Sequence, residues 1–254
     1  MLYKQEIAEL IGSELLCPHD FNISCQTCRM RTLCLPAALE PTELLALEEL
    51  IEHRRAVSNG EHLYLQQQPF TCLYAVLSGG FKTYSSQEDG WTRITGCHLP
   101  GEVFGFSGIN GEHYLSSAKA LEDSVVCEMP FDQLERLCRV IPDLQARLFQ
   151  LMSRRLVEDD ELAAQFLHKR PARKRIAAFL LSLSTRAAAR GDSSTHLRLP
   201  MSRTDIGNYL GITLETVCRE LARLERNGVI TLHKRELQIL DLHGLRAPIC
   251  NEPG

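Results

Sequence analysis

The sequence predicts an α+β chain in which a β-roll, a long helix and a C-terminal winged helix-turn-helix follow one another. Three observations carry this. From about residue 57 to 131, short apolar alternations are broken by glycine and turn residues, as in an antiparallel roll or small barrel. Residues 131–168 then contain no glycine and one proline, Pro142, so a long helix in two pieces is expected. Residues 202–227 hold a capping serine, an apolar face, a turn glycine and a second apolar face, the pattern of two short helices joined by a tight turn.

Residues 1–16 place Ile7, Leu10, Ile11 and Glu14 at helical spacing and read as a short amphipathic helix. Glu6, Glu9 and Glu14 interrupt its apolar residues, so it is no signal-peptide core, and no window approaches a membrane span. A cytoplasmic chain is expected. Pro41 to Arg55 reads as a helix with Leu44, Leu47 and Ile51 on one face and Glu40 and Glu43 near its start. The strands of the roll are expected at Leu63–Leu65, Leu73–Leu77, Gly79–Tyr84 and Thr92–Thr95, with turns at 87–90 and 100–102. The expected division is a cysteine-bearing segment over 1–36, the roll over 37–131, the long helix over 132–168 and the winged domain over 169–254.

Two apolar stripes run along the long helix. Leu144, Leu148, Leu151 and Leu162 can pack against the roll. Phe149, Met152, Leu156, Ala163 and Phe166 follow the three–four alternation of a two-stranded seam; periodicity fits a homodimer seam and a plain amphipathic core helix equally well. Asp159 takes the place of an apolar member of that seam. Across a two-fold axis, two such carboxylates repel, and this opposes dimerisation.

In residues 202–227, Ser202 is the cap of the first helix and Asp205 is placed to reach back to it. Ile206 and Leu210 face inward, Gly211 ends the helix, and Thr213 caps the next. There Val217, Leu221 and Leu224 face the core, while Glu215, Cys218 and Arg219 share the outer face. Arg can pair with guanine, and Glu can accept from cytosine, in the major groove. Ser202, Arg203 and Thr213 lie at helix starts, where a DNA backbone is met. Two strands, Val229–His233 and Glu236–Leu240, flank a basic tip, Lys234-Arg235. Charge agrees with this: the chain carries −4, yet residues 168–238 carry +8, so one basic domain faces nucleic acid in an otherwise acidic chain.

Three cysteines stand in ten residues, Cys25, Cys28 and Cys34, spaced C-x2-C-x5-C. Thiolates that converge in this way select zinc or an iron–sulfur cluster. Either needs a fourth ligand, either Cys17 just upstream or a cysteine that the fold brings in from afar. Of the ten cysteines in the chain, Cys72, Cys97 and Cys138 are expected to be small buried hydrophobes. A G-x-G-x-x-G, a P-loop and a nucleophile–base pairing are all absent from the sequence, so it does not read as an enzyme.

The order of these parts, with C-x2-C-x5-C-x-P (Cys25 to Pro36), ITG-x-HLPGEV-x-GF (Ile94 to Phe106), SVVCEMPF (Ser124 to Phe131) and MSRTDIGNYLGITLETV (Met201 to Val217), resembles the oxygen-sensing fumarate and nitrate reductase regulators of the cyclic-AMP receptor superfamily. The resemblance covers nearly the whole chain. It implies a cyclic-nucleotide-binding-like roll and a [4Fe–4S] cluster, one per protomer, held by Cys25, Cys28, Cys34 and Cys127. It also implies a dimer that binds palindromic double-stranded DNA without oxygen, an activator role in anaerobic metabolism, and contact with RNA polymerase, for which the loop 85–92 is a candidate by position. Loss of the cluster would weaken the dimer.

Three departures stand out. Phe106 and Ser116 occupy the positions where cyclic-nucleotide binders carry a Glu and an Arg, so no cyclic nucleotide is expected. Arg29 follows Cys28 where relatives often have a small polar residue. Cys218 replaces the Ser of the Glu-x-x-Ser-Arg pattern, which leaves Glu215 and Arg219 to read the inner half-site. Two other readings remain: the same DNA-binding fold answering to nitric oxide, thiol oxidation or structural zinc, and an iron–sulfur electron carrier or redox enzyme.

Overall fold

The computed structural model of the chain describes residues 24–51, 54–87, 90–167 and 170–250. The helix expected over residues 1–16 and Cys17 lie outside them. The first described residues form successive tight turns closed by backbone bonds such as Arg31 N to Cys28 O and Cys34 N to Met30 O, and a short 3₁₀ turn, Leu35–Ala38, follows with Pro36 in its first turn. Helix α1 (Pro41–Leu50) starts on a reciprocal bond pair between Glu40 and Glu43, which supplies two of its orphan amides. It stops at Leu50, five residues before the expected end. Ile51 leaves helical geometry, and Arg54–Val57 instead become strand β1, paired with Cys127–Ser124. The sheet partner satisfies the backbone groups that a longer helix would have used.

Two four-stranded antiparallel sheets make the roll. One runs β1, β8 (Ser124–Pro130), β3 (Cys72–Ser78), β6 (Val103–Phe104); the other runs β2 (His62–Tyr64), β7 (Ser117–Ala120), β4 (Phe81–Ser86), β5 (Thr92–His98). Val57, Val76, Phe81, Phe104 and Val126 fill the space between them, together with Tyr64 stacked on Tyr114 at 3.8 Å between centroids. Strands β3, β4 and β5 lie where alternation placed them. The strands β1, β6, β7 and β8 have no counterpart in the sequence reading.

Helix α2 (Phe131–Val140) is followed by α3 (Pro142–Leu167). The break falls at Ile141, which is extended, as a residue before proline prefers to be. Leu144, Leu148 and Leu151 are buried in a core shared with α1, Leu35 and Cys25, and Leu162 is buried as well. The other stripe faces outward: Phe149 is 58% exposed and Leu156 68%. The side chain of Phe166 lies outside the described side chains.

The last domain holds α4 (Ala172–Ala189), β9 (His196–Arg198), α5 (Arg203–Leu210), α6 (Leu214–Arg226), β10 (Ile230–His233), β11 (Glu236–Ile239) and α7 (Leu242–Cys250). The wing has three strands rather than two, because β9 pairs with β11. Gly211 ends α5 at φ +64°, a conformation open to glycine at little cost. This domain is docked on the roll. Lys82 of β4 pairs with Asp205 of α5 at 2.6 Å, and the Asn208 side chain accepts from Ile94 N at 2.6 Å and donates to Thr92 O at 2.8 Å. Arg186 of α4 donates to Glu102 at 2.6 Å and to Cys97 O at 2.7 Å.

Candidate metal centre and nucleic-acid interface

The turns over 25–34 lie between α3 and the 100–102 bend of the roll. Gly101 has φ +88°, and a Cβ there would stand 3.0 Å from Leu33 and 3.3 Å from the Met30 sulfur, so the cysteine loop is packed tightly against the roll. Cys127 comes from the middle of β8, opposite Arg54 of β1 and Ala75 of β3. Each of the four thiols, Cys25, Cys28, Cys34 and Cys127, is close enough to the other three to interact electrostatically. Among the described residues, no three His, Cys, Asp or Glu side chains are drawn tightly enough together to hold a single metal ion.

Burial above all, with the neighbouring thiols and Glu48 acting in the same sense, pushes the Cys25 thiol up to about 12. Burial likewise raises Cys34 and Cys127, with Cys127 eased by the Arg54 guanidinium. Thiols held in this state bind a metal only by losing their protons to it. Among the other cysteines, Cys97 and Cys138 are buried as expected, whereas Cys72 is only half-buried.

From α3, the guanidinium of Arg147 donates to three successive carbonyls of the cysteine loop, Thr32, Leu33 and Cys34, at 3.3, 2.7 and 3.1 Å. Arg29 pairs with Asp192 beyond α4 at 2.9 Å, with both side chains well exposed, so this pair adds little stability. Further along α3, Met152 and Ala163 are partly buried, and Phe149, Leu156 and Asp159 are exposed. Asp159 does not stand as a lone charge. Arg155, one turn earlier, pairs with it at 2.7 Å and also donates to Thr95 O at 2.7 Å.

In the second site, Ser202 accepts from Asp205 N at 3.0 Å, and Thr213 accepts from Thr216 N at 3.2 Å, so both caps form as expected. The Asp205 carboxylate does not complete a reciprocal box; it takes the Ser202 hydroxyl and the Lys82 ammonium instead. Glu215, Cys218 and Arg219 share an exposed face of α6, with Arg203 and Thr213 exposed nearby. Val217, Leu221 and Leu224 hold the opposite face in the core. At the wing tip, Lys234 has φ +55°.

Phe106 and Ser116 line a cavity of about 340 Å³ inside the roll, shared with Thr83, His98, Arg155 and Asp159. Arg155 brings a guanidinium to this cavity from α3, and Thr95 and Asp159 already hold it. The contributions of Arg54, Arg147, Arg155 and Lys82 were not anticipated. Arg54, Arg147 and Lys82 act on partners far away in sequence or on the backbone, which leave no spacing to read, whereas the i, i+4 spacing of Arg155 and Asp159 was there to be read and was overlooked.

Residues 54–140 match the cyclic nucleotide-binding domain family and residues 174–247 the Crp-like helix-turn-helix domain family. The chain is 42% identical over 223 residues to the transcriptional activator protein FnrA of Stutzerimonas stutzeri, covering 88% of this chain and 91% of that one. It is 44% identical over 217 residues to the transcriptional activator protein anr of Pseudomonas aeruginosa, covering 85% and 88%. It is 39% identical over 219 residues to the fumarate and nitrate reduction regulatory protein of Vibrio cholerae, covering 86% and 87%. Among solved structures, FixK2 from Bradyrhizobium japonicum is similar with a TM-score of 0.72 at 28% identity, over 79% of this chain and 98% of that one.

Proposed function

Because the chain belongs to the Fnr/Anr family of helix-turn-helix transcription regulators, we propose that it is a homodimeric, oxygen-responsive activator of anaerobic genes. Its sensor is a [4Fe–4S] cluster held by Cys25, Cys28, Cys34 and Cys127. One observation carries this reading: four buried or half-buried thiols from two distant segments gather about one space, each within electrostatic reach of the rest. A cluster that takes one thiolate at each of four irons spreads its ligands apart.

When bound, such a cluster supplies a redox-labile link that oxygen can break. The rest falls to the chain. The loop over 25–34 supplies three ligands, and its packing on Gly101 and Arg147 fixes it to the roll and to α3. Cys127 ties the same site to the central strand β8. On α3, Phe149, Met152, Leu156 and Ala163 present an apolar face to a second copy, and Asp159 with Arg155 sets its charge. The dimer then presents two α6 helices to a palindrome whose half-sites lie about one helical turn apart. Glu215 and Arg219 read base edges, Cys218 lies beside them, and Ser202, Arg203 and Thr213 meet the backbone.

The chain is not assigned an enzymatic role, and a cyclic nucleotide is not its signal. The guanidinium in the roll cavity is already held by Thr95 and Asp159, which leaves a cyclic phosphate without a free counter-charge. Relatives named as transcriptional activators support contact with RNA polymerase, for which the segment 85–92 is the candidate surface. Strictly anaerobic purification, iron and sulfide analysis and titration with air-saturated buffer check the proposal. Iron and sulfide bound without oxygen and lost in air, with loss of specific DNA binding in parallel, is the expected result. Zinc in their place, or DNA binding indifferent to air, would refute it.

A further inference from the structure

We propose that Arg147 is a positioning residue that couples the cysteine loop to the dimer-forming face of α3, so that the state of the loop is read at the seam. The inference rests on the iron–sulfur reading above and names its mechanical link. The Arg147 side chain is a buried cation, 9% exposed, and no carboxylate pairs with it among the described residues. Its donors are used by backbone: Thr32 O, Leu33 O and Cys34 O, with Gln150 Oε1 at 3.3 Å as the one side-chain acceptor. Three consecutive carbonyls on one guanidinium mean that the loop cannot shift at one residue alone. If the turn around Cys34 opens, all three acceptors leave together, and a buried guanidinium without partners is strongly unfavourable.

The guanidinium must then follow the loop or turn to solvent, and either movement disturbs the packing of α3 around Leu144 and Leu148. Leu144 and Leu148 flank Arg147 in the core that also holds Cys25 and Leu35. Phe149, two residues on, opens the exposed stripe. The loop is equally confined on its other side, where Leu33 and Met30 pack on Gly101. Loop, helix and bend therefore move as one packed unit. Arg147 is also within electrostatic reach of the Cys34 sulfur, so an anionic thiolate centre at the ligands adds a counter-charge that this cation otherwise lacks. An occupied site thus favours the buried position of Arg147, and with it the present setting of the seam.

The experiment compares wild type with Arg147→Gln, which cannot reach three carbonyls, and Arg147→Lys, which keeps the charge. Dimer dissociation constants are measured by sedimentation for iron-loaded and iron-stripped protein, and the constant of the stripped form divided by that of the loaded form is the readout. A purely structural role would weaken both forms and leave the ratio alone. We expect Arg147→Gln to reduce the ratio by at least about tenfold, with Arg147→Lys intermediate. Amide hydrogen exchange of the stripped proteins is the second readout, independent of iron: Leu33 and Cys34 amides should exchange at least about tenfold faster in Arg147→Gln while α6 is unchanged. Iron in the wild type with an unchanged ratio in Arg147→Gln, or equal loop exchange, overturns the coupling alone. A wild type that takes up no iron overturns the cluster reading and the coupling with it.

Discussion

At the scale of single residues, the ligand set and the base-reading set make separate predictions. Cys127 shares its site with the three loop cysteines but lies about 100 residues from them in sequence, held at mid-strand by β1 and β3. Cys127→Ser is expected to lose most of its iron when purified anaerobically, and Cys72→Ser and Cys138→Ser are expected to keep theirs; iron analysis of the three variants decides. On α6, Glu215→Ala and Arg219→Ala should each weaken binding to a preferred site by about 1–3 kcal/mol, as loss of a directional base contact does. Cys218 is exposed and a weak hydrogen-bond donor, so Cys218→Ser should sharpen the outer base preference without abolishing binding. In vitro selection on both proteins measures it, and identical preferences would remove Cys218 from specificity. The grouping of the three loop cysteines and the shared outer face of Glu215, Cys218 and Arg219 were legible in the sequence because their spacing is local. Cys127 was not legible from spacing; only resemblance to a family offered it, because a strand partner carries no sequence offset.

At the scale of elements, α3 shows what periodicity can and cannot say. Its two stripes, the break at Pro142 and the outward set of Phe149 and Leu156 follow from the 3.6-residue repeat and the rigidity of proline. Arg155, itself off the seam, reaches Asp159 at 2.7 Å through an i, i+4 spacing that the repeat offers, and Thr95 O at 2.7 Å, which the repeat could not show. A like-charge repulsion read from Asp159 alone is therefore partly balanced from within the helix. Asp159→Ala is expected to strengthen the aerobic dimer by less than about tenfold, under about 1.4 kcal/mol. Arg155→Gln, which unmasks the carboxylate, is expected to weaken the iron-loaded dimer instead, and sedimentation of both variants reads the two signs. The error at α1 has a related cause. Arg54-Arg55-Ala56-Val57 is compatible with helix or strand, and only the waiting edge of β8 decides. Strands β6 and β7 escaped notice because one has two residues and the other, Ser117–Ala120, is made of small and polar ones.

At the scale of the whole molecule, the cysteine-bearing roll and the winged domain are one packed body. The cysteine loop rests on the roll and on α3, and the winged domain is clamped to the roll by Lys82–Asp205, Asn208 on the β5 edge, and Arg186 on Glu102. Burial opposes the charge of Arg186, but Glu102 and the Cys97 site more than offset this, so the guanidinium is held firmly charged. Glu102→Gln should lower stability by about 2 kcal/mol, less than a fully buried pair because both side chains keep some water contact, as thermal or urea unfolding would show. The order of domains was legible in composition, glycine placement and charge. Their docking was not, since it depends on single polar pairs between segments far apart in the chain. The most direct measurement is iron and acid-labile sulfide per protomer in anaerobically purified wild type and Cys127→Ser, with Mössbauer spectra of the wild type. About four of each in the wild type, with a [4Fe–4S] signature that is absent from Cys127→Ser, is the predicted result; one zinc per protomer, or full iron content in Cys127→Ser, would contradict it.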